Sequence, residues 1–309
     1  MKMRKSRPKA GRCGFFPPDA GRHTLSGWLA FAEDRYAQHG VALGQVATSA
    51  HDEALYLLLR TLHLPLSSAP TVLARRLTAA EDAAVERVLR HRILDRVPAA
   101  YLTHEAWLGS HHFYVDERAI IPRSYFLEIL PRLGRLLNDP AGVTRTADVG
   151  TGSGCLAILL ALHFPRAQVD AIDVSAAALA VARINVKQHD LAGRVTLHCS
   201  DVFEAVPPGR YDVIVCNPPY EPSALMKRLP PEFRQEPRLA LDGGKDGLDV
   251  VRKLIAQARG RLTKDGALLI EVGGLRAAMD AIFARLKPRW LATCDGTNCI
   301  CFIEACHLR

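Results

Sequence analysis

The tetrapeptide Asn217-Pro218-Pro219-Tyr220 directly follows the apolar run Tyr211-Asp212-Val213-Ile214-Val215-Cys216. A strand ending this way holds out two acceptors, the Asn217 side-chain oxygen and the Pro218 backbone carbonyl. Two prolines stiffen the turn and keep those carbonyls aimed inward. Tyr220 can lie against a flat group and exclude water. The set suits a planar nitrogen that has to act as a nucleophile. A carboxamide nitrogen is a poor one, since its lone pair is delocalised into the carbonyl, a conjugation reflected in a rotation barrier of about 18–20 kcal/mol. Acceptors on the NH₂ favour pyramidal nitrogen and the positive charge that develops on it. No strong base is needed if the proton leaves after the transfer. Taken alone, the tetrapeptide also fits an ordinary proline-rich turn.

Upstream, Asp148-Val149-Gly150-Thr151-Gly152-Ser153-Gly154 follows another strand-like stretch. Dinucleotide-binding loops need G-x-G-x-x-G, but here the glycines fall at 150, 152 and 154 and Cys155 takes the sixth place. Asp148, two residues before the first glycine, suits the cationic ammonium of S-adenosylmethionine better than a pyrophosphate. Glycines let the backbone approach the methionine part closely. Asp173 ends Val169-Asp170-Ala171-Ile172-Asp173, placed to accept from ribose hydroxyls, and Asp201 follows the next strand, placed for the adenine amino group. Thr151, Val202 and Asn217, the last shared with the nitrogen-holding turn, complete the expected cofactor set. Each acid by itself also fits a helix or turn cap.

Alternating strands and helices must position these groups. Strands are expected at 145–149, 168–173, 194–199, 211–216 and 266–272, with helices near 155–164, 175–189, 247–262 and 274–286. Two last runs, 289–294 and 299–305, are separated only by a turn around Gly296-Thr297-Asn298, too short for a crossover, so they must be antiparallel. The pattern predicts an α/β Rossmann-like methyltransferase domain over 124–309. Before it come a helical amino-terminal domain for substrate recognition, 24–103, and a β-hairpin connector, 104–123. Helices are expected at 24–39, at 52–63, from the capping box Thr78-Ala79-Ala80-Glu81 to about Asp95, and at 125–137. The hairpin joins Ala106-Trp107-Leu108 to Phe113-Tyr114-Val115, with His111-His112 read as part of its exposed turn.

The 309 residues are 49% hydrophobic, enough for a well-buried core, and contain no run long enough for a transmembrane helix. Together with the absence of an apolar stretch behind the basic start, this points to a cytoplasmic protein. Net charge is +8. Residues 1–23 hold seven Lys and Arg against Asp19, giving +6 and leaving +2 for the rest. This stretch reads as a disordered basic tail that could make a weak contact with ribosomal RNA. Eight cysteines with no C-x-x-C pair read as structural thiols, Cys299 and Cys301 sharing one strand face, and no metal is expected.

With these motifs in view, the chain resembles the HemK-like protein-glutamine methyltransferases, in particular the PrmB branch. Further resemblance lies in Val97-Pro98-Ala99-Ala100-Tyr101-Leu102-Thr103, Pro122-Arg123-Ser124, Leu229-Pro230-Pro231-Glu232, Glu236-Pro237, Gly243-Gly244-Lys245-Asp246-Gly247-Leu248 and Glu271-Val272-Gly273. It spans residues 24–305 and implies methylation of a glutamine amide in ribosomal protein L-three, free or in an assembling large subunit. It also implies the cofactor and amide roles given above, and a substrate-side role for Arg123. The branch that modifies release factors shows Pro-Arg-Pro-Glu-Thr-Glu where Pro122-Arg123-Ser124-Tyr125-Phe126-Leu127 stands here. Tyr125 and Gly274 depart from the branch pattern. A release-factor methyltransferase and a DNA or RNA amino-methyltransferase are the rival readings; the latter lacks a broad basic face beyond the tail.

Overall fold

A computed structural model describes residues 23–308. The basic tail, and with it the readings of disorder and RNA contact, lies outside the described residues apart from His23. Contacts divide the chain into a unit ending at Val97 and a unit beginning at Pro98.

In the first unit, α1 (Leu25–His39) starts where Thr24 Oγ1 accepts from Gly27 N and ends at Gly40 in the left-handed region. It buries Leu25, Trp28, Leu29, Ala32 and Tyr36. Helix α2 (Ala50–Thr61) begins two residues earlier than expected, because Ser49 Oγ accepts from Asp52 N. The Thr78–Glu81 capping box opens α3 (Ala79–Ile93). Glu53 of α2 and Arg92 of α3 pair at 2.7 Å with both side chains fully buried, and Arg92 Nη2 also donates to the Ala42 carbonyl.

The second unit opens with a short helix, α4 (Ala99–Thr103), which the sequence reading did not anticipate. Strands β1 (Glu105–Leu108) and β2 (His111–Tyr114) form the hairpin. Its loop is Gly109-Ser110 with Gly109 at φ +62°, so the histidine pair lies on β2 rather than in the turn. Helix α5 (Phe126–Leu133) is shorter than expected at both ends. Then follow β3 (Arg145–Val149), α6 (Cys155–His163), β4 (Gln168–Asp173), α7 (Ala176–Gln188), β5 (Val195–Cys199), β6 (Tyr211–Cys216), α8 (Asp249–Ala258), β7 (Leu262–Glu271), α9 (Arg276–Phe283), β8 (Arg289–Leu291) and β9 (Ile300–Glu304).

One sheet takes the order β5-β4-β3-β6-β7-β9-β8. β5, β4, β3, β6 and β7 are parallel to one another, while β9 runs antiparallel to both β7 and β8. Side chains alternate across it: Val213, Val215, Ala267 and Leu269 pack with α5 and α6, whereas Ile214, Cys216, Leu268 and Ile270 pack with α8 and Met279 of α9. β7 starts four residues before its expected beginning, and its register with β6 shifts between Tyr211 and Val213. There Gly266 lets the Tyr211 carbonyl approach; a Cβ would sit 2.9 Å from it. Cys299 precedes β9 instead of belonging to it. It therefore packs on the α6 side of the sheet while Cys301 packs on the α8 side, and the two do not share a face.

Candidate active site

β3 leads out to β4 and β5 on one side, and the chain then returns to place β6 on β3's other flank. Open α/β sheets bind ligands beyond the carboxyl ends of their strands at such a reversal. Here Val149 pairs with Cys216, so the glycine loop and Asn217-Tyr220 leave the sheet side by side. A cavity of about 480 Å³ opens there, lined by both segments, by Ala119–Ser124 without Ile121, by Asp173 and Asp201, and by an apolar wall including Leu229, Phe233 and Leu241.

Of the expected cofactor residues, Gly150, Thr151, Gly152, Asp173, Asp201 and Val202 line this cavity; Asp148 and Gly154 do not. Asp148 lies fully buried under the loop. Its Oδ2 accepts from Thr151 Oγ1 at 2.6 Å and from Ala157 N at 2.9 Å, bracing the loop against the start of α6. Its Oδ1 is buried without a hydrogen-bond partner, and burial pushes its pKa up to about 7. Gly154, at φ +82°, serves packing: a Cβ would fall 3.1 Å from Ala182 Cβ of α7. Asp173 accepts from Gly152 N and Ser175 N, both at 2.8 Å. A carboxylate has about four acceptor sites, so it retains capacity toward the cavity. Burial raises its pKa. Asp201 is half-exposed, with Lys253 Nζ 2.5 Å away. Val202, buried and at φ +56°, holds a backbone conformation rare for a β-branched residue, the sort of strain that concentrates at binding sites.

Asn217, Pro218, Pro219 and Tyr220 all face the cavity. Asn217 Nδ2 donates to the Arg123 carbonyl at 3.5 Å. Arg123 also lines the cavity, but its Nη1 is engaged by Glu236, at 2.9 Å from Oε1 and 2.8 Å from Oε2, and its guanidinium lies over Phe233. The nearby glycine motifs are explained by contact with this turn. A Cβ on Gly243 would stand 2.6 Å from the Pro219 carbonyl, one on Gly247 2.4 Å from that of Tyr220, and one on Gly273 2.7 Å from the Tyr220 ring. Sequence reasoning gave no role to three buried polar residues that support the site. Asn185 receives Tyr114 N and donates to the Tyr114 and Ser153 carbonyls, tying β2 to the glycine loop. Glu271 accepts from Ser124 Oγ and Tyr125 N, and Glu236 from Ile121 N as well as Arg123. Glu236 and Glu271 carried a signal, since each stands in a motif of the family resemblance and Glu271 also ends a strand; Asn185, inside a helix, offered none.

The strand order, the switch-point cavity and the antiparallel finish together define a Rossmann-like methyltransferase. The Methyltransferase small domain family matches residues 133–229. Curated relatives span nearly the whole chain. The ribosomal protein uL3 glutamine methyltransferase of Bordetella pertussis is 48% identical, covering 89% of this chain and 93% of its own length. That of Burkholderia pseudomallei is 45% identical, covering 92% and 95%. The chain belongs to the ribosomal protein uL3 glutamine methyltransferase family. Among solved structures, the hMettl16 catalytic domain in complex with a MAT2A 3'UTR hairpin shares the fold, with a TM-score of 0.50 at 16% identity over 82% of this chain and 90% of that one.

Proposed function

We propose that this chain methylates the side-chain amide nitrogen of a glutamine in ribosomal protein uL3, using S-adenosylmethionine. The observation that carries the reading is the juxtaposition of Gly150–Gly152 with Asn217–Tyr220 at the ends of paired strands, opening into one cavity. The residues present fit the cofactor. The loop backbone, with the buried Asp148 carboxyl beneath it, suits the ammonium-bearing methionine part; Asp173 suits the ribose; and Asp201 with Val202 suits the adenine. When bound, S-adenosylmethionine supplies an electrophilic methyl group on a sulfonium.

The protein's own part is to hold the target amide. Asn217 Oδ1 and the Pro218 carbonyl accept from its NH₂ and draw the nitrogen out of conjugation. Tyr220, wedged against Gly273, covers the flat face and keeps water out. The proton leaves once the new N–C bond has made the nitrogen acidic. Arg123 has the role of shaping the substrate side, through its tie to Glu236. Residues 24–103 are assigned to substrate recognition, and the charge of residues 1–23 supports a salt-sensitive contact with ribosomal RNA.

The test is transfer of labelled methyl to uL3, free and in assembling large subunits, beside release-factor and nucleic-acid controls. Asn217→Ala should bind S-adenosylhomocysteine normally by calorimetry yet lose about 10²–10³-fold in rate, as for other preorganised groups that meet developing charge. Near-normal transfer in Asn217→Ala would remove the motif from the mechanism. Labelling of nucleic acid alone would move the enzyme to another substrate class.

A further inference from the structure

We propose that Glu271 and Glu236 are positioning residues that orient the Asn217 side chain through the backbone carbonyl of Arg123. The proposal rests on the methyl-transfer reading above and extends it to residues that do not touch the target. Cys216 of β6 is paired with Ile270 of β7, so Asn217 and Glu271 are the next residues along two adjacent strands. Glu271 does not turn to the cavity. It is 3% exposed, and its Oε2 accepts from Ser124 Oγ at 2.5 Å and Tyr125 N at 3.0 Å. Glu236, also 3% exposed, accepts from Ile121 N and from Arg123 Nη1. Residues 121–125 are thus gripped from both ends by buried carboxylates reaching in from far along the chain.

Burying a carboxylate is costly unless it is well hydrogen-bonded. Apolar packing could hold a loop in place, but it would not fix the direction of a peptide plane. Here the plane held between the two clamps is the one whose carbonyl faces Asn217. A carbonyl can only accept, so it selects the NH₂ end of the Asn217 amide and leaves Oδ1 for the cavity. Turned over, the amide would set oxygen against oxygen and offer the target nitrogen a donor instead of an acceptor. The 3.5 Å contact is long, and such contacts tighten when the reacting group docks.

The experiment measures methyl transfer to uL3 by the full chain carrying Glu271→Ala, Glu271→Gln or Ser124→Ala, each alone and combined with Asn217→Ala. Misplacing a reacting group by about 1 Å costs on the order of 10²-fold, so Glu271→Ala should lower kcat by about 10–100-fold. KM for uL3 and affinity for S-adenosylhomocysteine should stay within about threefold, since a positioning loss falls on the reacting geometry. Glu271→Gln keeps an acceptor oxygen and should restore most of the rate. Groups that act as a unit are non-additive, so Glu271→Ala with Asn217→Ala should be no slower than Asn217→Ala alone. Should Glu271→Ala fail to fold, Ser124→Ala, which leaves the carboxylate in place, carries the same comparison. Multiplicative losses in the double variants, or losses confined to KM, would overturn the proposal. Full activity in Asn217→Ala would instead overturn the methyl-transfer mechanism on which it rests.

Discussion

Two carboxylates at the glycine loop meet different surroundings. Asp173 faces the cavity, whereas Asp148 is sealed beneath the loop with one oxygen unpartnered. Desolvation raises the Asp148 pKa to about 7 against the opposing pull of Thr151 and Ala157, and the Asp173 charge adds to the rise. The ordinary value is 3.8. Between about pH 4 and pH 7 the unfolded chain has lost this proton while the folded chain keeps it. Stability therefore falls as pH rises through that window and levels off above it. Asp148→Asn removes the titration and keeps an oxygen for both donors. Its melting temperature relative to the parent should climb from pH 4 to pH 7. A difference independent of pH would mean that the folded protein holds Asp148 ionised throughout.

At the scale of elements, the Asn217–Tyr220 turn is held by backbone crowding as much as by hydrogen bonds. Gly243, Gly247 and Gly273 approach so closely that side chains there would collide with Pro219 and Tyr220. Gly243 is not in a left-handed conformation, so its substitution tests space alone. Gly243→Ala should cost about 1–3 kcal/mol, as overpacking does, and should reduce methyl transfer by displacing the Pro219 carbonyl. Gly260→Ala, where nothing lies within 4 Å of the added carbon, is the control and should be neutral or slightly stabilising. Urea denaturation and transfer rates measure both. Equal stability and activity in the two variants would show that the turn tolerates movement.

On the scale of the whole molecule, the cavity draws its described lining from the second unit, between Arg118 and Val250. The first unit has its own apolar stripes and its own buried ion pair. Removing one partner of a buried pair leaves an uncompensated charge, which costs about 3–5 kcal/mol. Glu53→Ala strands Arg92 in that position. Residues 23–97 should become susceptible to proteolysis at a lower temperature, while affinity for S-adenosylhomocysteine stays within about twofold, a span of well under 1 kcal/mol. A large loss of affinity would show that the cofactor site depends on the first unit.

What could be read from the sequence was local in physical origin. The Thr78–Glu81 capping box, the strand runs ending at Val149 and Cys216, and a gap before Ile300 too short for a crossover all act within a few residues. They were sufficient to place the glycine loop and the Asn217 motif at strand ends and to require an antiparallel finish. Boundaries drifted where a neighbouring group took over, as at Ser49 before α2 and at Gly266 within β7. Tertiary structure alone decided that β6 lies beside β3, since pairing between strands far apart in the chain is set by packing of the whole sheet. It also decided the fate of single residues. Asp148 is shut under the loop, Cys299 falls before its strand, and Asn185, Glu236 and Glu271 come to the site from other elements. Their hydrogen bonds span from 32 to 147 residues along the chain. No periodicity or short motif encodes a contact at that separation, because it exists only once the sheet has closed and the donors have lost their water.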